Sequence, residues 1–110
     1  MQFRTENVEQ DIAVIHTEGR LNMVSAPKLR QAVTDVIGAG RSRIVVDLSG
    51  VEFMDSSGLG ALIGCLKTAR QAGGDLRIAA PTKQVVMVLK LSNLDRVLTA
   101  YDSPAEAYRD

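Results

Sequence analysis

The sequence predicts an α/β domain: a mixed, mostly parallel sheet of about five strands carrying crossover helices. Three observations predict it. Short runs of Val, Ile and Leu alternate with stretches whose apolar residues recur at i, i+3, i+4 and i+7. That alternation of strand and helix continues along most of the chain, which places successive strands parallel with a helix between them. A length of 110 residues makes one domain, 1–110, large enough to bury a core.

Residues 2–8 alternate weakly and read as an edge strand. Residues 12–17 are a stronger strand, with Gln10 and Asp11 as the turn before it, so the first pair forms an antiparallel hairpin. Residues 19–23 read as a loop. Ser25 is a helix N-cap candidate and Pro27 suits a first turn. Leu29, Ala32, Val33, Val36 and Ile37 follow at helical spacing, and Gly38 and Gly40 stop that helix. Residues 44–48 form the next strand, a short loop follows, and a second helix runs from about residue 57 to 72 on the stripe Leu59, Leu62, Ile63 and Leu66. Gly73 and Gly74 end it ahead of a strand at 76–79. Pro81 and Thr82 open a third helix with Val85, Val88 and Leu89 on its core face. Asn93 suits a left-handed position, residues 97–100 a short last strand, and residues 103–106 a brief terminal helix with capping-box spacing.

Composition excludes several function classes. Lys plus Arg and Asp plus Glu both number 13, so the formal net charge is zero, and the basic residues are scattered. Nucleic-acid binding requires a basic stripe or stacking aromatics, and Phe3, Phe53, Tyr101 and Tyr108 are too dispersed to supply them. Cys65 is the only cysteine, which rules out an internal disulfide and fits a reducing compartment. No leader and no apolar run of membrane-spanning length is visible, so a cytoplasmic protein without membrane insertion is expected.

The stretch Met54-Asp55-Ser56-Ser57-Gly58-Leu59-Gly60 concentrates the chemistry. Asp and Ser satisfy orphan backbone donors at a helix start, yet three stand in a row where one N-cap suffices. At least one hydroxyl is therefore expected to be free at the positive end of a helix, where a phosphate is tolerated. Gly60, Ala61, Gly64, Thr68 and Gln71 gather on the helix face opposite the apolar stripe. Each helix-interior glycine costs about 0.8–1 kcal/mol relative to alanine, so Gly60 and Gly64 imply either tight packing on the sheet or close approach by a partner. Their angular position favours the partner.

The run from Val46 through Asp55-Ser56-Ser57-Gly58-Leu59-Gly60, with Gly19-Arg20-Leu21, Ser25-Ala26-Pro27 and Gly73-Gly74, closely resembles the STAS-domain anti-sigma-factor antagonist family. The resemblance spans essentially the whole chain and implies a STAS fold and partner switching. In that family the unphosphorylated antagonist binds an anti-sigma factor that is also a serine kinase, releasing the sigma factor. Phosphorylation of the serine after the Asp blocks binding, and a metal-dependent serine phosphatase restores it. By position that serine is Ser56, leaving Ser57 as cap or helix-start residue. Asp55, Ser57, Gly58, Gly60, Ala61, Gly64 and Thr68, with Asn22 and Met23 in the preceding loop, are then expected at the partner surface. Asn22 stands where the family commonly has Asp. The resemblance also admits a regulatory subunit of a lipid or anion transport system, or part of a stress-signalling assembly. A monomer is expected, since nothing demands a dimer.

Catalytic readings fare worse. The spacing Gly58-x-Gly60-x-x-x-Gly64 does not follow its strand directly, and Asp75 starts the next strand where a dinucleotide site would need an acid near its end. No Gly-x-Ser-x-Gly elbow is present. His16, the single histidine, lies on a strand, and a serine without a base in reach is inert. No ligand cluster has metal spacing. The chain reads as a non-enzyme with no cofactor.

Overall fold

The structure is a computed structural model that describes residues 1–9 and 11–108. Gln10 of the expected turn lies outside the described residues. Among the described residues, five strands form one sheet in the order β1-β2-β3-β4-β5. They are β1 (Gln2–Asn7), β2 (Ile12–Leu21), β3 (Arg43–Met54), β4 (Asp75–Ala79) and β5 (Ala100–Tyr101). Strands β1 and β2 are antiparallel, and every later neighbour is parallel. Helices α1 (Ala26–Gly38), α2 (Ser56–Gln71) and α3 (Lys83–Leu91) make the crossovers.

The parallel strands follow one another in chain order, so right-handed crossovers must put α1, α2 and α3 on the same face of the sheet. The core confirms this. Ala13 and Ile15 of β2, Ile44, Val46 and Leu48 of β3, and Leu76 and Ile78 of β4 bury against Leu29 and Val33 of α1, Leu62 and Leu66 of α2, and Val85 and Leu89 of α3. The intervening residues face the other way. There Ile12, Val14, Val45 and Ala79 form a second apolar layer, covered by Ala107, Tyr101 and Tyr108.

Strands β2 and β3 are longer than their sequence pattern suggests. Residues 19–21 continue β2 instead of looping, and β3 runs through the expected loop as far as Met54. Register shifts after His16 and after Gly19 let the pairing resume, up to Arg20 opposite Phe53 and Leu21 opposite Met54. Apolar alternation is broken by these bulges, which hides the strand from a period-two reading. Gly50 permits the crossing: a Cβ there would stand 2.7 Å from the Thr17 carbonyl oxygen.

Three terminal features also differ. Ser25 precedes α1 but makes no side-chain cap bond; its Oγ donates to the Arg20 carbonyl at 2.7 Å and accepts from the Asn22 N–H at 2.9 Å. It closes the loop rather than the helix. The last strand is Ala100–Tyr101, not 97–100, because Asn93 at φ 60° turns the chain into a single 3-10 turn, Leu94–Arg96, and Leu98 is buried as an anchor. The terminal helix is one 3-10 turn, Pro104–Glu106, and Ser103 makes no side-chain cap bond. Asn93 adopts the left-handed conformation expected of it.

The open face carries a hydrogen-bonded chain. His16 Nδ1 lies 2.7 Å from Asp47 Oδ2, and its Nε2 lies 3.0 Å from Glu6 Oε1. Asp47 also accepts the Ser49 N–H at 3.0 Å. Burial pushes the Asp47 carboxyl upward, but the Ser49 backbone N–H and the His16 ring outweigh it and hold it below its usual value of 3.8. A depressed folded-state value stabilises above the unfolded value, and that stability is lost as pH falls through the folded one. Asp47→Asn should therefore cost about 1–2 kcal/mol at neutral pH. In denaturant titrations its deficit should shrink below pH 3.8. An unchanged deficit in acid would contradict the ionised role.

Candidate functional site

The site lies at the carboxyl ends of the parallel strands, where α/β sheets place their binding residues. Leu21 and Met54 end β2 and β3 side by side. From there the chain turns into the loop before α1 and into the start of α2. The Asp55 N–H donates to the Leu21 carbonyl at 3.3 Å. Asp55 has extended backbone, φ −107° and ψ −173°, and its Oδ1 accepts the Gly58 N–H at 3.0 Å. Asp55 is thus the N-cap of α2.

Of the two roles expected for Ser57, cap or helix-start residue, it takes the second: it occupies the second helical position and does not cap. Among the described residues neither Ser56 nor Ser57 has a side-chain hydrogen-bond partner. Ser56 is exposed at the first helical position and Ser57 is half-buried. No acidic residue stands in the first turn of α2. The free backbone donors and the dipole of this 16-residue helix favour negative charge there.

Two other members of the expected contact set are also buried. Gly58 lies against the end of β2, where a Cβ would overlap the Leu21 carbonyl oxygen, so its missing side chain serves packing. Ala61 is fully buried. The apolar face of α2 is wider than a four-residue stripe because α2 packs on the sheet and beside α1, which buries Ala61 and Cys65 as well. Burial pushes the Cys65 thiol up to about 11, so it is a packed thiol.

The remaining positions do reach the surface. A Cβ on Gly60 would meet nothing within 4 Å, and one on Gly64 only the Arg30 Nε at 3.8 Å. Neither glycine packs on the sheet. Gly64 and Thr68 line a shallow groove of about 240 Å³ between α1 and α2, with Arg30 and Val33 opposite. In the other loop the Asn22 side-chain oxygen accepts the Val24 N–H at 3.0 Å and the Ser25 N–H at 3.3 Å. An Asp could make the same turn, so Asn22 keeps the loop geometry while removing its charge. The turn leaves Met23 and Val24 exposed, at 73% and 72%.

Sequence reasoning missed Gln84 and Val24. The Gln84 side-chain amide clasps Met54 on both sides, accepting its N–H at 2.8 Å and donating to its carbonyl at 2.9 Å. A polar residue in the first turn of α3 gave no signal, because its partner is backbone 30 residues away. Arg20, whose guanidinium sits 5.0 Å from the Phe53 ring centroid, and half-exposed Phe53 extend the same edge. No group of three or more potential metal ligands occurs among the described residues, and none of their helices is long and apolar enough to cross a membrane.

Asp55 and Ser57 should separate in denaturation experiments. Asp55→Ala should cost about 0.5–2 kcal/mol through loss of the cap. Ser57→Ala should change stability by less than about 0.5 kcal/mol. Gly58→Ala should cost about 1–3 kcal/mol by forcing α2 off the Leu21 carbonyl. Equal losses for Asp55→Ala and Ser57→Ala would return the cap to Ser57.

Comparison with known proteins fits this geometry. Residues 5–107 match the family model of the STAS domain. A Thermotoga maritima protein described as a candidate anti-sigma factor antagonist is 32% identical over 104 residues, 94% of this chain and 92% of the relative. The anti-sigma F factor antagonist of Paenibacillus polymyxa is 28% identical over 97% of this chain and 92% of its own length. A crystal structure of an anti-sigma factor antagonist from Mycobacterium paratuberculosis superposes with a TM-score of 0.83 at 27% identity, covering 96% of this chain and 89% of the other. The chain belongs to the STAS-domain anti-sigma-factor antagonist family.

Proposed function

We propose that this protein is an anti-sigma-factor antagonist whose partner choice is set by phosphorylation of Ser56. The antagonists among its relatives support the role. One observation carries the switch: Asp55 takes the capping duty, which leaves an exposed serine hydroxyl uncommitted at the first position of α2. In this reading the unphosphorylated protein binds an anti-sigma factor that doubles as a serine kinase, and a metal-dependent serine phosphatase resets it. It works as a cytoplasmic monomer and catalyses nothing itself; His16 is tied to Asp47 and Glu6 and supplies no base for Ser56.

The contact surface comprises Asp55, Ser56, Ser57, Gly60, Gly64 and Thr68 on α2, with Asn22, Met23 and Val24 alongside. Gly60 and Gly64 let a partner backbone approach α2, and Met23 and Val24 supply exposed apolar anchors. A phosphate adds about −1.5 to −2 charge at pH 7. At a helix N-terminus this is favourable by about 0.3–1 kcal/mol, so the fold survives. Beside the Asp55 carboxylate, in a surface that must lose water, the same charge can cost several kcal/mol of binding.

Intact-mass measurement after incubation with host lysate and ATP should show one added phosphate on the wild type and none on Ser56→Ala. Ser56→Asp should melt within a few degrees of wild type and bind the kinase partner about 100-fold more weakly, matching roughly 2.7 kcal/mol. Phosphate persisting on Ser56→Ala, or no phosphate on the wild type under any growth condition, would overturn the proposal; the latter would favour a transport-regulatory role. Gly60→Leu should weaken binding while leaving the melting temperature unchanged within a few degrees, since open space surrounds that position. Unfolding without selective loss of binding would remove Gly60 from the interface.

A further inference from the structure

The two edges of the sheet differ. The β5 edge is 2 residues long and passes into the Pro104–Glu106 turn. The β1 edge is 6 residues of extended chain, mostly exposed, without proline, glycine or lysine. Its register on β2 runs unbroken from Gln2 opposite Glu18 to Asn7 opposite Ala13. Short strands, prolines, bulges and lysines keep an edge from pairing with another chain, and β1 has none of them. The charges it does carry, Arg4 and Glu6, are of opposite sign, and their spacing decides what they do.

The outward backbone groups of β1 can be assigned. The Val8 N–H donates to the Ile12 carbonyl at 3.1 Å, one step beyond Asn7 and Ala13 in the same register. Antiparallel pairs alternate between those that exchange backbone bonds and those that do not. Gln2, Arg4 and Glu6 therefore turn their backbone groups to β2, and Phe3, Thr5 and Asn7 turn theirs to the open edge. Among the described residues no loop or turn backbone bonds to those three. Side chains alternate too: Phe3 packs on the helical core, and Arg4 and Glu6 share the other face.

We propose that β1 pairs antiparallel with β1 of a second copy about a two-fold axis at Thr5, joining the two sheets edge to edge. Backbone and charges agree on this register. Outward-facing residues must meet one another, Thr5 with Thr5 and Phe3 with Asn7 of the other copy. Arg4 of each copy then stands opposite Glu6 of the other, in the non-hydrogen-bonded pairs whose side chains lie closest. A two-residue slip keeps the backbone bonds but sets Arg4 against Arg4 or Glu6 against Glu6. Glu6 Oε1 stays on His16 Nε2 at 3.0 Å, and among the described residues its Oε2 has no hydrogen-bond partner and Arg4 is in no ion pair. A strand with Glu two residues after Arg, run antiparallel, is matched by itself, and that selects a second copy as the occupant. The contact is small and its ion pairs exposed, so the pair is weak and the single chain predominates when dilute. The start of α2 follows β3, two strands in from this edge, so self-pairing does not use the Ser56 surface.

Sedimentation equilibrium of the full chain, with 15N amide spectra from about 10 µM to about 1 mM, tests the pairing. The wild type should form a dimer and nothing larger, with a Kd of about 0.1–1 mM and concentration-dependent shifts centred on residues 3, 5 and 7. Arg4→Glu and Glu6→Arg should each raise that Kd about tenfold or more, because like charges then face each other. An equimolar mixture of these two variants should regain wild-type affinity as a heterodimer. Thr5→Pro should abolish pairing and keep a folded spectrum, since the N–H it loses points away from β2. A monomer throughout the concentration range, association that survives Thr5→Pro, shifts centred elsewhere, or a mixture no tighter than either variant alone would each overturn the proposal. So would a peptide of residues 2–8 with its Arg and Glu exchanged binding β1 as tightly as the native peptide; that result would give the edge to a foreign strand.

Discussion

The seat of α2 on the end of β2 is the constraint on which the rest of the site depends. The Leu21 carbonyl receives the Asp55 N–H, and Gly58 comes so close to that carbonyl that no side chain could stand there. Gln84 fixes the approach from the other side by holding both backbone groups of Met54. Asp55 then closes the first turn through Gly58. Each of these contacts is polar and short-range. Together they set the direction of the helix and leave the next residue, Ser56, facing solvent with its hydroxyl uncommitted.

Much of this was legible in the sequence. Strand and helix alternate in apolar period, and with right-handed crossovers that pattern gives both the parallel sheet and its single helical face. The Asp-Ser-Ser-Gly run marked a helix start with more polar groups than capping requires. The sequence could not say which of the three was the cap. Asp55 and Ser57 have similar propensities, and the choice is made by the extended backbone that Leu21 imposes on Asp55. Burial on α2 was misjudged for a related reason. A helical wheel locates the stripe that faces the sheet but not the neighbouring helix, and α1 is what lies beside Gly64 and the buried Cys65. The bulged ends of β2 and β3 escaped because a bulge breaks the two-residue period while the strand pairing goes on.

The two faces of the sheet divide the chemistry. The helical face carries the aliphatic core and, at its upper edge, the proposed contact surface: bare glycine backbone on α2 and exposed apolar tips on the loop beside it. Among the described residues, part of the open face is covered by the C-terminal turn and by Tyr101 and Tyr108 with their stacked arginines. Its charged chain from Asp47 through His16 to Glu6 ties the edge strand β1 to the central strand β3 across β2. Strand β3 is shared by both faces and ends directly at the cap of α2.

The central claim is that a phosphate can be added at Ser56 without disturbing the cap, because Asp55 alone does the capping. Amide spectra and hydrogen exchange of the protein made with phosphoserine at position 56 test it most directly. The account predicts shifts confined to the start of α2 and the adjoining loop near Asn22, with the Gly58 amide as protected as in the unmodified chain. Loss of that protection, or shifts spread through the core of the sheet, would show that the serine hydroxyl was part of the cap and would contradict the account.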